Sequence, residues 1–245
     1  MAVNYFTFLP AISALLCVAL GLFTLRKNPG HTANIGFAAG LLCLALIEAG
    51  SFFALMPGPG LPLAGMKAFL FGLALLPAAW LLFTSVFGRG NYSNIPRGQL
   101  YLLIATGACS VVFCALLLIP SFSGSFITPA SVFTEEATVF TLGPAGKYLH
   151  IFLTIGMVIN LVQLENTLRS SKGTKRWSIK YLVFGVGSVL AFFIYMSTQS
   201  LLFSTVDLAP VLRNRRQSSP HKVGGNHYLG FDDGPVHSKV QAPRR

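Results

Sequence analysis

Apolar residues in this chain come in long unbroken runs rather than in the alternations or narrow stripes of water-exposed elements. Six such runs occupy about 5–25, 33–55, 66–87, 99–119, 147–165 and 177–203. Each is close to the ~20 residues that an α-helix needs to cross a hydrocarbon core. Strong breakers separate them: Arg26-Lys27-Asn28-Pro29-Gly30, then Pro57-Gly58-Pro59-Gly60, then Gly88-Arg89, then Pro120. Pro77 lies inside the third run, where a spanning helix tolerates it at the cost of a kink. The pattern predicts an all-α integral membrane protein, a bundle of six transmembrane helices over residues 1–207.

Two stretches depart from that pattern. Ser121–Gly146 is rich in Ser, Thr, Phe, Gly and Pro, and carries Glu135 and Glu136. Within it Ala137–Leu142 alternates and favours strand, which predicts a short external hairpin. Residues 208–245 form a tail of Pro, Gly, His, Ser and basic residues without periodicity, and disorder is expected there.

Composition agrees with the reading. Of 245 residues 53% are hydrophobic and 10% charged, with a mean hydropathy of +0.64, against about 25% charged in soluble domains. The net charge of +11 would suit nucleic acid were the cations gathered in a stripe. They sit instead at the ends of apolar runs and in the tail, so they serve topology and no nucleic-acid partner is expected. Cys17, Cys43, Cys109 and Cys114 lie within apolar runs without metal or redox spacing, and read as small packing residues. The start of the chain lacks a charged n-region and a small-residue cleavage site, so it reads as a span rather than a cleaved signal.

The loop charges set an orientation. Arg26, Lys27, Arg89, Arg97, Arg169, Lys172, Lys175, Arg176 and Lys180 fall on one side, and Lys67 and Lys147 on the other. Basic residues resist translocation, so the nine-to-two bias predicts an N-terminus outside a bacterial inner membrane. Arg169, Lys172, Lys175, Arg176 and Lys180 mark the cytoplasmic loop, with Trp177 and Tyr181 at headgroup depth. Six crossings then leave a tail with seven basic and two acidic residues outside, the wrong side for such a charge. The expectation is a missing seventh crossing, through truncation or frameshift near Leu208, in preference to a tail that is external by design or a sixth run that does not fully cross.

Polar residues within the spans are candidates for function, because burying them in lipid is costly. Glu48 in the second span is a candidate for ligand or proton sensing, with Gln199 and Tyr195 as possible partners, set against a protonated carboxyl bonded to a neighbouring helix. His150 near the external face could sense pH or act as an interfacial anchor. Asn160 and Gln163, three residues apart, share a helix face suited to interhelical hydrogen bonds. Gly36-x-x-x-Gly40 and Gly185-x-Gly187-Ser188 allow close helix approach. Nothing resembles a nucleophile with its base, a paired intramembrane carboxylate, a metal-ligand cluster or a nucleotide loop. No catalytic residue, metal, cofactor or identifiable small-molecule ligand is therefore expected.

The residues Leu161-Val162-Gln163-Leu164-Glu165, Arg169, Lys175-Arg176-Trp177-Ser178-Ile179-Lys180-Tyr181-Leu182, Tyr195 and Leu201-Leu202-Phe203 carry a family resemblance. This run resembles the membrane sensor region of PrsK-type histidine kinases, the two-component sensors that accompany PEP-CTERM/exosortase systems. There it reads approximately L-V-N-L-E, an arginine, R-W-x-I-K-[FY]-L, and a sixth helix ending L-L-F. The resemblance implies a signal-perceiving bundle of seven helices followed by a GAF-like sensor, a phospho-accepting histidine and an ATP-binding domain. Here it fades by about Asp207. His221, His227 and His237 are not followed by the acidic residue of a phosphorylated histidine box, and Gly224-Gly225 alone makes no nucleotide lid. The 38 residues from 208 to 245 are too few for an ATP-binding domain, since domains rarely fall below ~50 residues.

The sequence thus predicts a truncated membrane sensor, without autophosphorylation by this chain, partnered by the bilayer and by a second copy or an intact sensor kinase. Two alternatives stand beside it. One is a small transporter or channel subunit using Glu48, Asn160 and Gln199. The other is a scaffold whose basic tail binds acidic partners or anionic lipid.

Overall fold

Helix ends fall at the breakers. The computed structural model describes residues 8–27, 29–56, 58–87, 95–129, 139–170 and 175–207, with backbone alone at 128, 129, 139, 170, 175–179 and 207. The elements are α1 (Leu9–Lys27), α2 (Thr32–Leu55), α3 (Leu61–Val86), α4 (Arg97–Leu118), α5 (Pro120–Phe126), β1 (Ile127–Pro129), β2 (Val139–Leu142), α6 (Pro144–Ser170), α7 (Lys175–Phe203) and β3 (Thr205–Asp207). All but α5 among the helices are long and apolar enough to span a membrane, which gives six candidate spans. The third and fifth extend further than the apolar pattern suggests, because Leu61–Gly65 and Pro144–Gly146 continue their helices toward the interface. The expected disorder of residues 208–245 lies outside the described residues.

Pro120 does more than close α4. It is the first residue of α5, where its missing N–H would have had no partner in any case and its fixed φ suits a helix start. Along the spans, hydroxyls fold back on their own helix. Those of Thr24, Ser51, Thr154, Thr167, Ser188 and Thr198 each donate to the carbonyl four residues earlier, at 2.7–3.0 Å. In an apolar setting that local bond satisfies a group that lipid cannot.

Packing centres on α3, the most buried span, while α1 is the least. The most extensive helix pair is α2 with α3; α1 lies against α2, α4 and α6 against α3, and α7 against α6. Helices in lipid attract chiefly through van der Waals contact, which small residues maximise. Along the α2/α3 seam they do so in an antiparallel register. A Cβ at Gly36 would come 2.8 Å from the Phe83 Cα, and one at Gly72 2.6 Å from the Ile47 Cγ1. Side chains at Gly50 and Gly65 would run into the backbones of Phe69 and Ala54. Gly40 faces the Trp80 ring, where a Cβ would come 3.1 Å from the Cε2. The second small-residue pattern behaves differently: nothing lies within 4 Å of a Cβ at Gly185, and one at Gly187 would meet the Leu161 Cδ1 at an ordinary 3.7 Å.

The connection between α4 and α6 forms more than a hairpin. β1 and β2 pair antiparallel with Ile127 opposite Leu142, and β3 joins the far side of β2 with Phe140 opposite Val206 and Thr141 opposite Thr205. The third strand comes from beyond the last span, a non-local pairing that local alternation cannot reveal. Phe126, Ile127, Phe140, Leu142 and Val206 are buried in one apolar cluster with Leu149 and Leu153 of α6.

Candidate functional site

Of the five polar candidates, Asn160 is the best enclosed. It has no exposed surface and faces α3 across the α3/α6 interface. Its Nδ2 donates to the Pro77 carbonyl of α3 at 3.1 Å and to the Gly156 carbonyl of its own helix at 2.8 Å. Its Oδ1 accepts from the Thr84 hydroxyl at 3.0 Å. Two carbonyls on one side and a hydroxyl on the other fix which way the amide must point. The Thr84 hydroxyl also lies 3.3 Å from the Leu81 carbonyl. It has one proton to give, so the shorter bond to Asn160 has the stronger claim.

Local sequence makes this contact possible. Pro77 interrupts the helical hydrogen bonding of α3, having no N–H to offer. Gly156, one turn before Asn160, lets the proline ring approach: a Cβ there would lie 2.7 Å from the Pro77 Cβ. The amide therefore bridges to α3 at the proline itself, one turn after the Leu73 carbonyl that Pro77 leaves without its helical donor. With Trp80, itself 2% exposed, Pro77 and Thr84 form the face of α3 that an apolar reading of the run passes over. Trp80 packs edge-on to Phe37 and Phe83, with ring centroids 5.9 and 5.8 Å apart.

Gln163 reaches a different helix. Its Oε1 accepts from the Gln99 Nε2 at 2.8 Å, tying the start of α4 to the later part of α6. His150 is buried at 3% exposure, and its Nδ1 bonds to the Gly146 carbonyl at 2.9 Å within the first turns of α6. It lies ten residues before Asn160, about 15 Å along the helix. Glu48 is half-buried on α2 and lies within electrostatic range of Cys17 on α1. Helix α2 packs mainly on α1 and α3, whereas Gln199, half-buried, and Tyr195, 60% exposed, belong to α7, which packs chiefly on α6. The five polar candidates thus have separate surroundings. Asn160 alone bridges two spans deep in the bundle, and Gln163 bridges two nearer one end.

In the cationic loop, Arg169 is exposed and pairs with Glu165 one turn earlier, a contact worth little in water. The exposed Lys180 lies 5.8 Å from the centre of the Phe184 ring. Lys172 lies outside the described residues, as do the side chains of Lys175, Arg176 and Trp177. Sequence reasoning picked out Asn160 and Gln163 but not Thr84 and Gln99. A lone threonine in an apolar run and a glutamine at a run's start look local until the fold supplies their partners.

No curated protein and no solved structure matches the chain. The family model for the N-terminal 7TM region of histidine kinases matches residues 9–212. With six apolar candidate spans and a match covering most of its length, the chain belongs to the family of N-terminal 7TM regions of histidine kinases.

Proposed function

We propose that this bundle is the stimulus-perceiving membrane part of a two-component system, and that phosphoryl transfer is carried out by a kinase core outside the matched residues. The observation that carries the reading is the family match over residues 9–212. Within that family, the run from Leu161 to Phe203 favours the PrsK-type, PEP-CTERM-associated branch, through its K-R-W-S-I-K-Y-L segment and terminal L-L-F. A perceiving bundle needs an interface with two available packings, since a signal is a shift between states. The α3/α6 contact suits this role: a proline-weakened helix is held from its neighbour by one amide.

The membrane is the bacterial inner membrane and the N-terminus is outside. Arg26, Lys27, Arg97, Arg169 and Lys180 gather at one end of the bundle, and Lys67 and Lys147 at the other. That asymmetry supports placing the first end in the cytoplasm. The bundle acts by associating with a kinase of the same architecture and altering its helix packing. Co-expression with a complete 7TM-region histidine kinase, with a transcriptional reporter for its response regulator, tests the reading. The chain should crosslink to the kinase in membranes and change reporter output. If it accumulates in the membrane yet neither crosslinks nor alters output, the reading fails.

A further inference from the structure

The last span does not end freely. At Ser204 the backbone enters the left-handed region, φ 52°, which ends α7 and turns the chain into β3. The Leu142 N–H donates to the Ser204 carbonyl at 2.8 Å, and the pairing continues through Thr141 with Thr205 and Phe140 with Val206. On its other edge β2 pairs with β1, which runs directly out of α5, and the Gly143 N–H donates to the Phe126 carbonyl at 2.9 Å. Gly143 and Gly146 lie so close to the backbones of Ser125 and Phe126 that no Cβ fits. Inward residues from all three strands, Ile127, Phe140, Leu142 and Val206, are buried in the bundle's own apolar cluster.

A two-stranded hairpin is marginal in water, and a third strand with a buried face changes that. The third strand here is the chain leaving α7. We propose that this sheet is an extracytoplasmic clamp that makes the α4–α6 connection and the exit of α7 one mechanical unit. A displacement of the connection is then a displacement of α7's last turn, and the chain emerging at Asp207 starts on the sheet side of the membrane. The role of relay rests on the sensing function above; the clamp and its side of the membrane do not.

Two variants test the coupling by hydrogen exchange on the full chain in lipid nanodiscs. Leu142→Pro removes the donor to Ser204, and Val206→Ser leaves the backbone intact while weakening the buried face. Each should speed exchange in Ser200–Asp207 by about fivefold or more, the change in opening expected for one lost hydrogen bond or apolar anchor. Exchange along the α2/α3 seam should stay as it was. Unchanged exchange in the last turn of α7 with both variants overturns the clamp. Single cysteines in a chain with its four native cysteines replaced by alanine test the side. Thr205→Cys should react in intact cells with a membrane-impermeant maleimide, as Gly124→Cys does, while Gly98→Cys reacts after permeabilisation. Thr205→Cys behaving like Gly98→Cys overturns the placement. If instead co-expression shows no effect on a kinase while both of these results hold, the sensing function fails and the clamp stands.

Discussion

Thr84→Val keeps the shape of the side chain and removes the hydroxyl that donates to Asn160. Both partners of the bond are fully buried, yet its worth is bounded by the membrane reference state. Separated helices also find polar partners, so interhelical bonds average about 0.6 kcal/mol and reach about 1.7. Asn160 makes two interhelical bonds, to Thr84 and to the Pro77 carbonyl. Asn160→Leu, which fills similar space, should therefore cost about 1–3 kcal/mol, and Thr84→Val about 0.5–1.5 kcal/mol. The double variant should cost less than the two singles together, because the Thr84–Asn160 bond is removed in each. A coupling near 1 kcal/mol is expected for contacting residues. SDS-induced unfolding in mixed micelles, followed by tryptophan fluorescence, measures all three. Strict additivity, or an Asn160→Leu variant within 0.3 kcal/mol of wild type, would refute the claim that this amide holds α3 to α6.

The glycines offer a sharper contrast. Gly50→Ala and Gly65→Ala place a methyl against the opposing backbone and should each lower unfolding stability by about 1–3 kcal/mol through overpacking. Gly107→Ala and Gly185→Ala, with nothing within 4 Å, should raise it by about 0.5–1 kcal/mol through better helix propensity. Ser204→Gly should be neutral or stabilising in thermal unfolding, since glycine accepts a positive φ, whereas Ser204→Val should lower the midpoint. Gln163→Leu should free the start of α4, seen as faster hydrogen exchange over Arg97–Leu103, while leaving the α3/α6 contact protected.

Much of the bundle was written in the linear order of residues. Runs of about twenty apolar residues leave the backbone no partner but itself, so helices of spanning length follow from composition and breakers alone. The polarity of Asn160 and Gln163 within such a run marked them for the same reason: lipid offers an amide nothing. Which groups answer them depended on the packing. Thr84 lies 76 residues from Asn160, and Gln99 lies 64 from Gln163. No local pattern links residues so far apart. Glu48 shows the same gap, since its helix packs on α1 and α3 rather than on the last span. The sheet shows it most clearly, because alternation at 137–142 signals a strand but not the partner that returns from beyond α7. Sequence by itself determined the spans and the asymmetry of charge, since both are settled by each segment's own balance between water and lipid. Tertiary structure alone decided the α2/α3 seam, the Asn160 bridge and the clamp, since each depends on a close approach between segments that the chain's linear order leaves far apart.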